Sequence, residues 1–185
     1  MTVHELDRPD DRSRSTEDAR GKKEESSRRG SRDPLREAHT AEHILNAVMQ
    51  RDLGVGRSIE VHLGATKSKA DYIVPRPLGE IEIKAIEAAV NAEIANDHPV
   101  TTFVVPRAEA EDRYDMRKVP ASAESIRIVQ IGDLDVIPCV GEHVERTGQL
   151  GRFLVRSATM RDERTVRIRY ALEYPDPTGV EASGN

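Results

Sequence analysis

Residues 33–74 read DPLREAHTAEHILNAVMQRDLG and then VGRSIEVHLGATKSKADYIV. Asp33-Pro34 predicts a helix start, with Asp as the N-cap and Pro at the first helical position, where its missing N–H is not needed. Leu35, Ala38, Ala41, Leu45 and Val48 recur at helical spacing, so the helix is expected to bury one face, and Gly54 stops it. Residues 57–63 alternate and predict a strand. Residues 64–67 read as a turn and 68–74 as the hairpin partner, closed by Pro75 and Pro77.

Downstream, a second helix is expected over about residues 80–96, with Ile83, Ile86, Ala89, Val90 and Ile94 as its apolar stripe and Asn96-Asp97-His98-Pro99 as its stop. Strands are expected at 100–105, 126–131, 134–137, 151–157 and 165–172. The polar stretch from Pro106 to Ser125 reads as a loop with a short helix. Two principal helices among about seven strands, not strictly alternating, predict an α+β domain whose helices pack on a mainly antiparallel sheet.

Composition sets the boundaries of that domain. Of 185 residues, 33% are charged and 3% aromatic, and the mean hydropathy is −0.60. Residues 1–33 carry nine acids and nine bases, and only Met1, Val3, Leu6 and Ala19 there are apolar. Such a segment buries too little surface to offset its ordering entropy. It is expected to be a disordered charged tail, with a nucleic-acid arm ending in SRRGSR as the alternative. The expected domain is 34–174, and residues 175–185, rich in Pro, Gly and Ser, read as a flexible end. The whole net charge of −5 then falls outside the tail. No apolar run approaches the ~20 residues that cross a bilayer. The N-terminus lacks a signal peptide's apolar region, so the expected location is cytoplasmic, with no membrane partner. A single Cys excludes an intrachain disulfide and a Cys-rich finger.

His39 and His43 are four apart on the first helix and share a face. Cys139 and His143 are likewise four apart in Pro138-CVGEH-Val144, where Gly141 permits a tight turn. Three imidazoles and one thiolate form a borderline-soft set that suits Zn2+. HTAEH also satisfies H-x-x-E-H, the inverted zinc-peptidase pattern, with Glu42 as base and Glu87 or Glu93 as a possible third ligand. That reading leaves CVGEH unused.

HTAEHILNAV, EIKAIEAAVNAEIANDHPV, IRIVQIGDLDVIPCVGEHVERTGQLGRF and RTVRIRY together resemble the editing domain of alanyl-tRNA synthetase, and most closely the free-standing AlaX-type trans-editing proteins. Threonyl-tRNA synthetases carry a related domain. The likeness runs in order through residues 35–172. It implies the fold of a class II synthetase editing domain and Zn2+ at His39, His43, Cys139 and His143. It also implies hydrolysis in trans of a mischarged aminoacyl ester at the tRNA acceptor end, with serine or glycine as the amino acid for the alanyl branch. The family's usual turn reads CGGTHV, so Val140 and Glu142 depart from it. Those departures motivate an alternative, a zinc-stabilised tRNA-binding or interaction domain without hydrolysis. His62, Thr66 and Ser68 fall near the family's amino-acid pocket and are candidate substrate contacts.

An aminoacyl ester is already activated, so the protein must chiefly place a water and stabilise the developing oxyanion. Glu42 and Glu142 are the acids nearest the ligands and the candidate general bases. RNA binding demands positive charge, and residues 146–170 hold seven Arg against Asp162 and Glu163. Arg152, Arg156, Arg167 and Arg169 are the candidate tRNA contacts. Arg167 and Arg169 are expected on one face of an alternating strand.

Overall fold

The computed structural model describes residues 32–175. The expected charged tail and the flexible C-terminal end fall almost wholly outside them. The described residues form an α+β fold with two antiparallel sheets and three α-helices.

Helix α1 (Pro34–Leu53) starts where the sequence places it. The Asp33 carboxylate accepts from the N–H groups of Leu35 and Arg36 at 3.1 and 3.2 Å, and Gly54 ends the helix in the left-handed region at φ 64°. Its burial is broader than one face. From Glu37 to Met49 every residue except His39 is buried, as in a helix enclosed by other elements. Leu35, expected on the buried stripe, is instead 54% exposed, because the first turn lies ahead of that enclosure.

Strands β1 (Glu60–His62) and β2 (Ser68–Ile73) form the hairpin. Strand β1 is shorter than the alternation predicts. Arg57 and Ser58 leave the ladder to bond side chains on other elements, and only the Ile59 N–H extends the pairing, to Asp71 O at 2.8 Å. Helix α2 (Glu80–Ala95) buries Ile86, Val90 and Ile94. Strand β3 (Val100–Pro106) leads into a one-turn helix α3 (Arg107–Glu111), then β4 (Ser125–Ile131) and β5 (Asp135–Pro138). A 3-10 turn at Thr147–Gln149 precedes β6 (Arg152–Met160) and β7 (Thr165–Glu173).

The sheet orders are β1-β2-β7-β6 and β3-β4-β5. The main core joins Ala41, Ile44, Leu45, Val48 and Met49 of α1 to Ala70 and Tyr72 of β2, Val166, Ile168 and Tyr170 of β7, and the α2 stripe. Each fully buried aliphatic side chain there contributes about 1.5–3 kcal/mol. A satellite core of Val105, Ala110, Ile126 and Ile128 gathers Tyr114, Met116 and Val119, so the polar stretch after β3 is tied down by its few apolar residues. Strand β5 lies in the second sheet, yet its first residue, Asp135, bonds α1. That link carries the turn after β5 to the helix bearing His39 and His43.

Candidate metal centre

The two ligand pairs meet. One donor atom from each of His39, His43, Cys139 and His143 lies within 4.8 Å of the others. Ring centroids are 4.3 Å apart for His39–His143, 4.5 Å for His43–His143 and 5.2 Å for His39–His43. Cys139 Sγ is 3.5 Å from His39 Nε2. A tetrahedral zinc with bonds of about 2.0–2.3 Å sets its ligands roughly 3.3–3.8 Å apart, so a slight inward closure of these side chains suffices.

The turn bearing Cys139 and His143 is held from both sides. Cys139 N–H donates to Arg127 O at 3.0 Å, and Arg127 Nη1 donates to the carbonyls of Cys139 and Gly141 at 2.7 and 2.9 Å. Gly141 packs so closely on His39 that a Cβ there would collide with the ring. Further on, the Thr147 hydroxyl donates to Glu93 O at 3.1 Å and accepts from His98 N–H at 2.8 Å. Asp97, in the left-handed region at φ 51°, accepts from Gly148 N–H at 3.0 Å and from Arg146 Nε at 2.7 Å. The NDHPV and TGQLG segments therefore lock together and fix the chain leaving His143. His98 closes this junction through Glu93, 2.9 Å from its Nε2, and is no part of the cluster.

Hydrogen bonds assign the ring nitrogens. The Thr40 hydroxyl donates to Arg36 O at 3.0 Å and accepts the Val144 N–H at 3.1 Å. Its other lone pair faces His143 Nδ1 at 3.4 Å, which makes that nitrogen the protonated one. His143 Nε2 is left buried without a hydrogen-bond partner. A buried acceptor in that state fits a metal. His43 Nδ1 is 2.9 Å from Asp135 Oδ2, leaving Nε2 for the cluster. The donor chemistry and the orphaned nitrogen thus fit Zn2+.

Burial disfavours the Cys139 thiolate, but the three imidazoles around it outweigh that and hold the thiol below its usual range. Burial likewise opposes a charged His43, yet Asp135 and the Cys139 sulfur hold its pKa above the ordinary imidazole value. For Asp135, burial pushes upward, and His43 and Arg57 prevail and keep the carboxyl low. The centre thus gathers one sulfur and three imidazoles, a donor set that suits a dication.

The other expected contacts divide. Glu42 is buried, accepting from Asn46 Nδ2 and, at 2.8 Å, from Ser58 Oγ. Glu142 is exposed and paired with Arg36 at 3.1 Å. Neither candidate base is hydrogen-bonded to the cluster, because each carboxylate is drawn to a nearer donor. Glu87 accepts from Val155 N–H at 2.7 Å, and Glu93 binds Arg51 and His98, so the acids of the peptidase reading are engaged elsewhere. Val140 is 92% exposed at the turn's tip.

Ser68 is buried in register with Tyr170, whose hydroxyl donates to Ala38 O at 3.2 Å, one residue from His39. His62 and Thr66 are exposed. Arg167 corrects the expected basic face. It is buried in a two-pronged bond to Asp71, at 2.7 Å from each nitrogen, because the register sets Asp71 opposite it. Arg152, Arg156 and Arg169 are exposed, with Arg156 paired to Glu173 at 2.5 Å. Sequence reasoning missed Thr40, Arg57, Arg127 and Asp135. Thr40 was legible as one of two polar residues between the helix ligands, the other being Glu42.

Residues 126–169 match the family described as the threonyl and alanyl tRNA synthetase second additional domain. The chain is 35% identical over 138 residues to an alanine–tRNA ligase of Treponema denticola, covering 74% of this chain and 23% of that protein. It is 33% identical over 145 residues to the alanine–tRNA ligase of Halorubrum lacusprofundi, covering 76% of this chain and 16% of that one. It is also 33% identical over 140 residues to the alanyl-tRNA editing protein AlaX-L of Pyrococcus horikoshii, covering 74% of this chain and 33% of that protein. The chain thus carries a match to that synthetase domain family and is similar, over about three quarters of its length, to alanine–tRNA ligases and to an AlaX-type editing protein. It spans a third or less of the length of these relatives.

Proposed function

We propose that this domain hydrolyses the aminoacyl ester of mischarged tRNA, acting in trans on Ser-tRNA(Ala) or Gly-tRNA(Ala), with Zn2+ held by His39, His43, Cys139 and His143. The observation that carries this reading is the buried, partnerless Nε2 of His143 within a three-imidazole, one-thiolate cluster, in a chain related to alanyl-tRNA editing proteins. When bound, the zinc supplies Lewis acidity toward the ester carbonyl or an attacking water. The chain's own residues orient the donors. Thr40 fixes the His143 ring, and Arg127 fixes the turn. Water adds across the ester, releasing the free amino acid and restoring the terminal ribose hydroxyl. Ser68, buried beside Tyr170, is the candidate side chain for the amino-acid pocket, and exposed Arg152 and Arg169 are candidates for the acceptor stem. Among the described residues no helix is long and apolar enough to cross a membrane, and the site of action we assign is the cytoplasm.

Incubating the purified protein with a panel of mischarged tRNAs tests this. Release of serine or glycine, but not alanine, is the expected result. Tight tRNA binding without release would instead favour the non-hydrolytic binding domain, and cleavage of peptides would restore the peptidase reading.

A further inference from the structure

Asp135 and Arg57 form a buried arm behind His43. Asp135 Oδ2 is 2.9 Å from His43 Nδ1, and Arg57 grips the same carboxylate with Nη1 on Oδ1 at 2.5 Å and Nη2 on Oδ2 at 3.0 Å. The side chains of His43, Asp135 and Arg57 are 1%, 5% and 13% exposed, so the chain of contacts runs from the fully enclosed ligand outward to the surface. Two clefts of about 520 and 250 Å³ reach this outer end, and Arg57 lines both. None of the four donor residues lines either cleft.

We infer that Asp135 and Arg57 are positioning residues that set the tautomer and orientation of His43 as a metal ligand. The carboxylate accepts the Nδ1 proton, which leaves Nε2 as the free donor and makes it more basic. Arg57 does two things for that carboxylate. Its fork fixes the plane of the carboxyl group, and its charge lies against that buried carboxylate. The three residues come from α1, from the loop before β1 and from the start of β5, so the arm also ties both sheets to the ligand helix. Adjacent Ser58 anchors that loop, its N–H donating to Asn46 Oδ1 at 2.9 Å and its hydroxyl to Glu42 at 2.8 Å.

This inference rests on the metal reading above, and zinc and cobalt binding by the full chain separate the two. Wild type, Asp135→Asn, Arg57→Ala and Arg57→Lys are compared in zinc competition against a chromophoric chelator, by the visible absorption of their Co2+ forms, and by melting of the metal-free proteins. Asp135→Asn should bind zinc 10–100-fold more weakly. Arg57→Ala should also weaken binding, and Arg57→Lys, which restores charge without the fork, should fall between it and wild type. The Co2+ bands of the weakened variants should shift or lose intensity. If wild type takes up no zinc, the metal reading fails and this one with it. If wild type binds and the variants match its affinity and spectrum, only the positioning role is overturned, even where their metal-free melting temperature drops. Should Asp135→Asn fail to fold, the Arg57 pair decides by the same criterion.

Discussion

Thr40 stands 3.4 Å from His143, with its hydroxyl facing the ring Nδ1 and its proton committed to Arg36 O. One hydroxyl thus serves the helix, the turn and a ligand. Thr40→Val keeps the shape and removes all three bonds. It strands the Val144 N–H in a buried place, and a buried donor left unpaired costs about 1–3 kcal/mol. Chemical denaturation should show that loss, and zinc affinity should fall about tenfold, with Thr40→Ser near wild type. Equal zinc affinity in Thr40→Val would separate the hydroxyl from the metal centre.

Gly141→Ala probes the turn from its other side. The added Cβ meets the His39 ring, and overpacking of this kind costs about 1–3 kcal/mol. The expected outcome is a Co2+ spectrum with weaker tetrahedral bands, since His39 must move away. An unchanged spectrum would mean that His39 is not a ligand.

Arg167 and Asp71 make a buried ion pair instead of an RNA contact. Arg167→Ala should destabilise the domain, because it removes both hydrogen bonds to the Asp71 carboxylate. The Arg167 guanidinium holds Asp71 below its ordinary carboxylate range. The sign follows from that direction. The pair's contribution is complete above the unfolded value of about 3.9 and is lost as pH falls through the lower folded value. Denaturation of wild type and Asp71→Asn between pH 6 and pH 2 should converge at the acid end and diverge above about pH 4. Parallel curves would contradict the pairing.

Arg152 and Arg169 remain exposed on the β6–β7 ribbon. Reversing both to Glu should leave the melting temperature near wild type, since surface changes stay within about 0.5 kcal/mol. It should weaken tRNA binding and reduce its salt dependence. Undiminished tRNA affinity would move the interface elsewhere.

What the sequence revealed was mostly local. The Asp33-Pro34 cap, the Gly54 stop, the His39/His43 pair and the Cys139/His143 pair are each set within a few residues, where helix and turn geometry act directly. The alternation of β7 correctly put Arg167 and Arg169 on one face. It could not tell that Asp71 lies opposite Arg167 and Lys69 opposite Arg169, because register between β2 and β7 is set by packing across nearly a hundred residues. Arg57 was read as the start of a strand for a similar reason, since its partner, Asp135, comes 78 residues later. The enclosure of α1 on nearly all sides was also beyond periodicity, which counts apolar residues and misses buried polar ones such as Glu42 and Asn46 that satisfy each other.

The decisive measurement is deacylation of Ser-tRNA(Ala) by one protein preparation, stripped of metal and then given back one equivalent of zinc, beside Cys139→Ala treated identically. The proposed site predicts serine release that falls on stripping, returns with zinc in wild type and stays low in Cys139→Ala. Equal release in the stripped protein, the restored protein and Cys139→Ala would contradict a metal-dependent editing centre at these four residues.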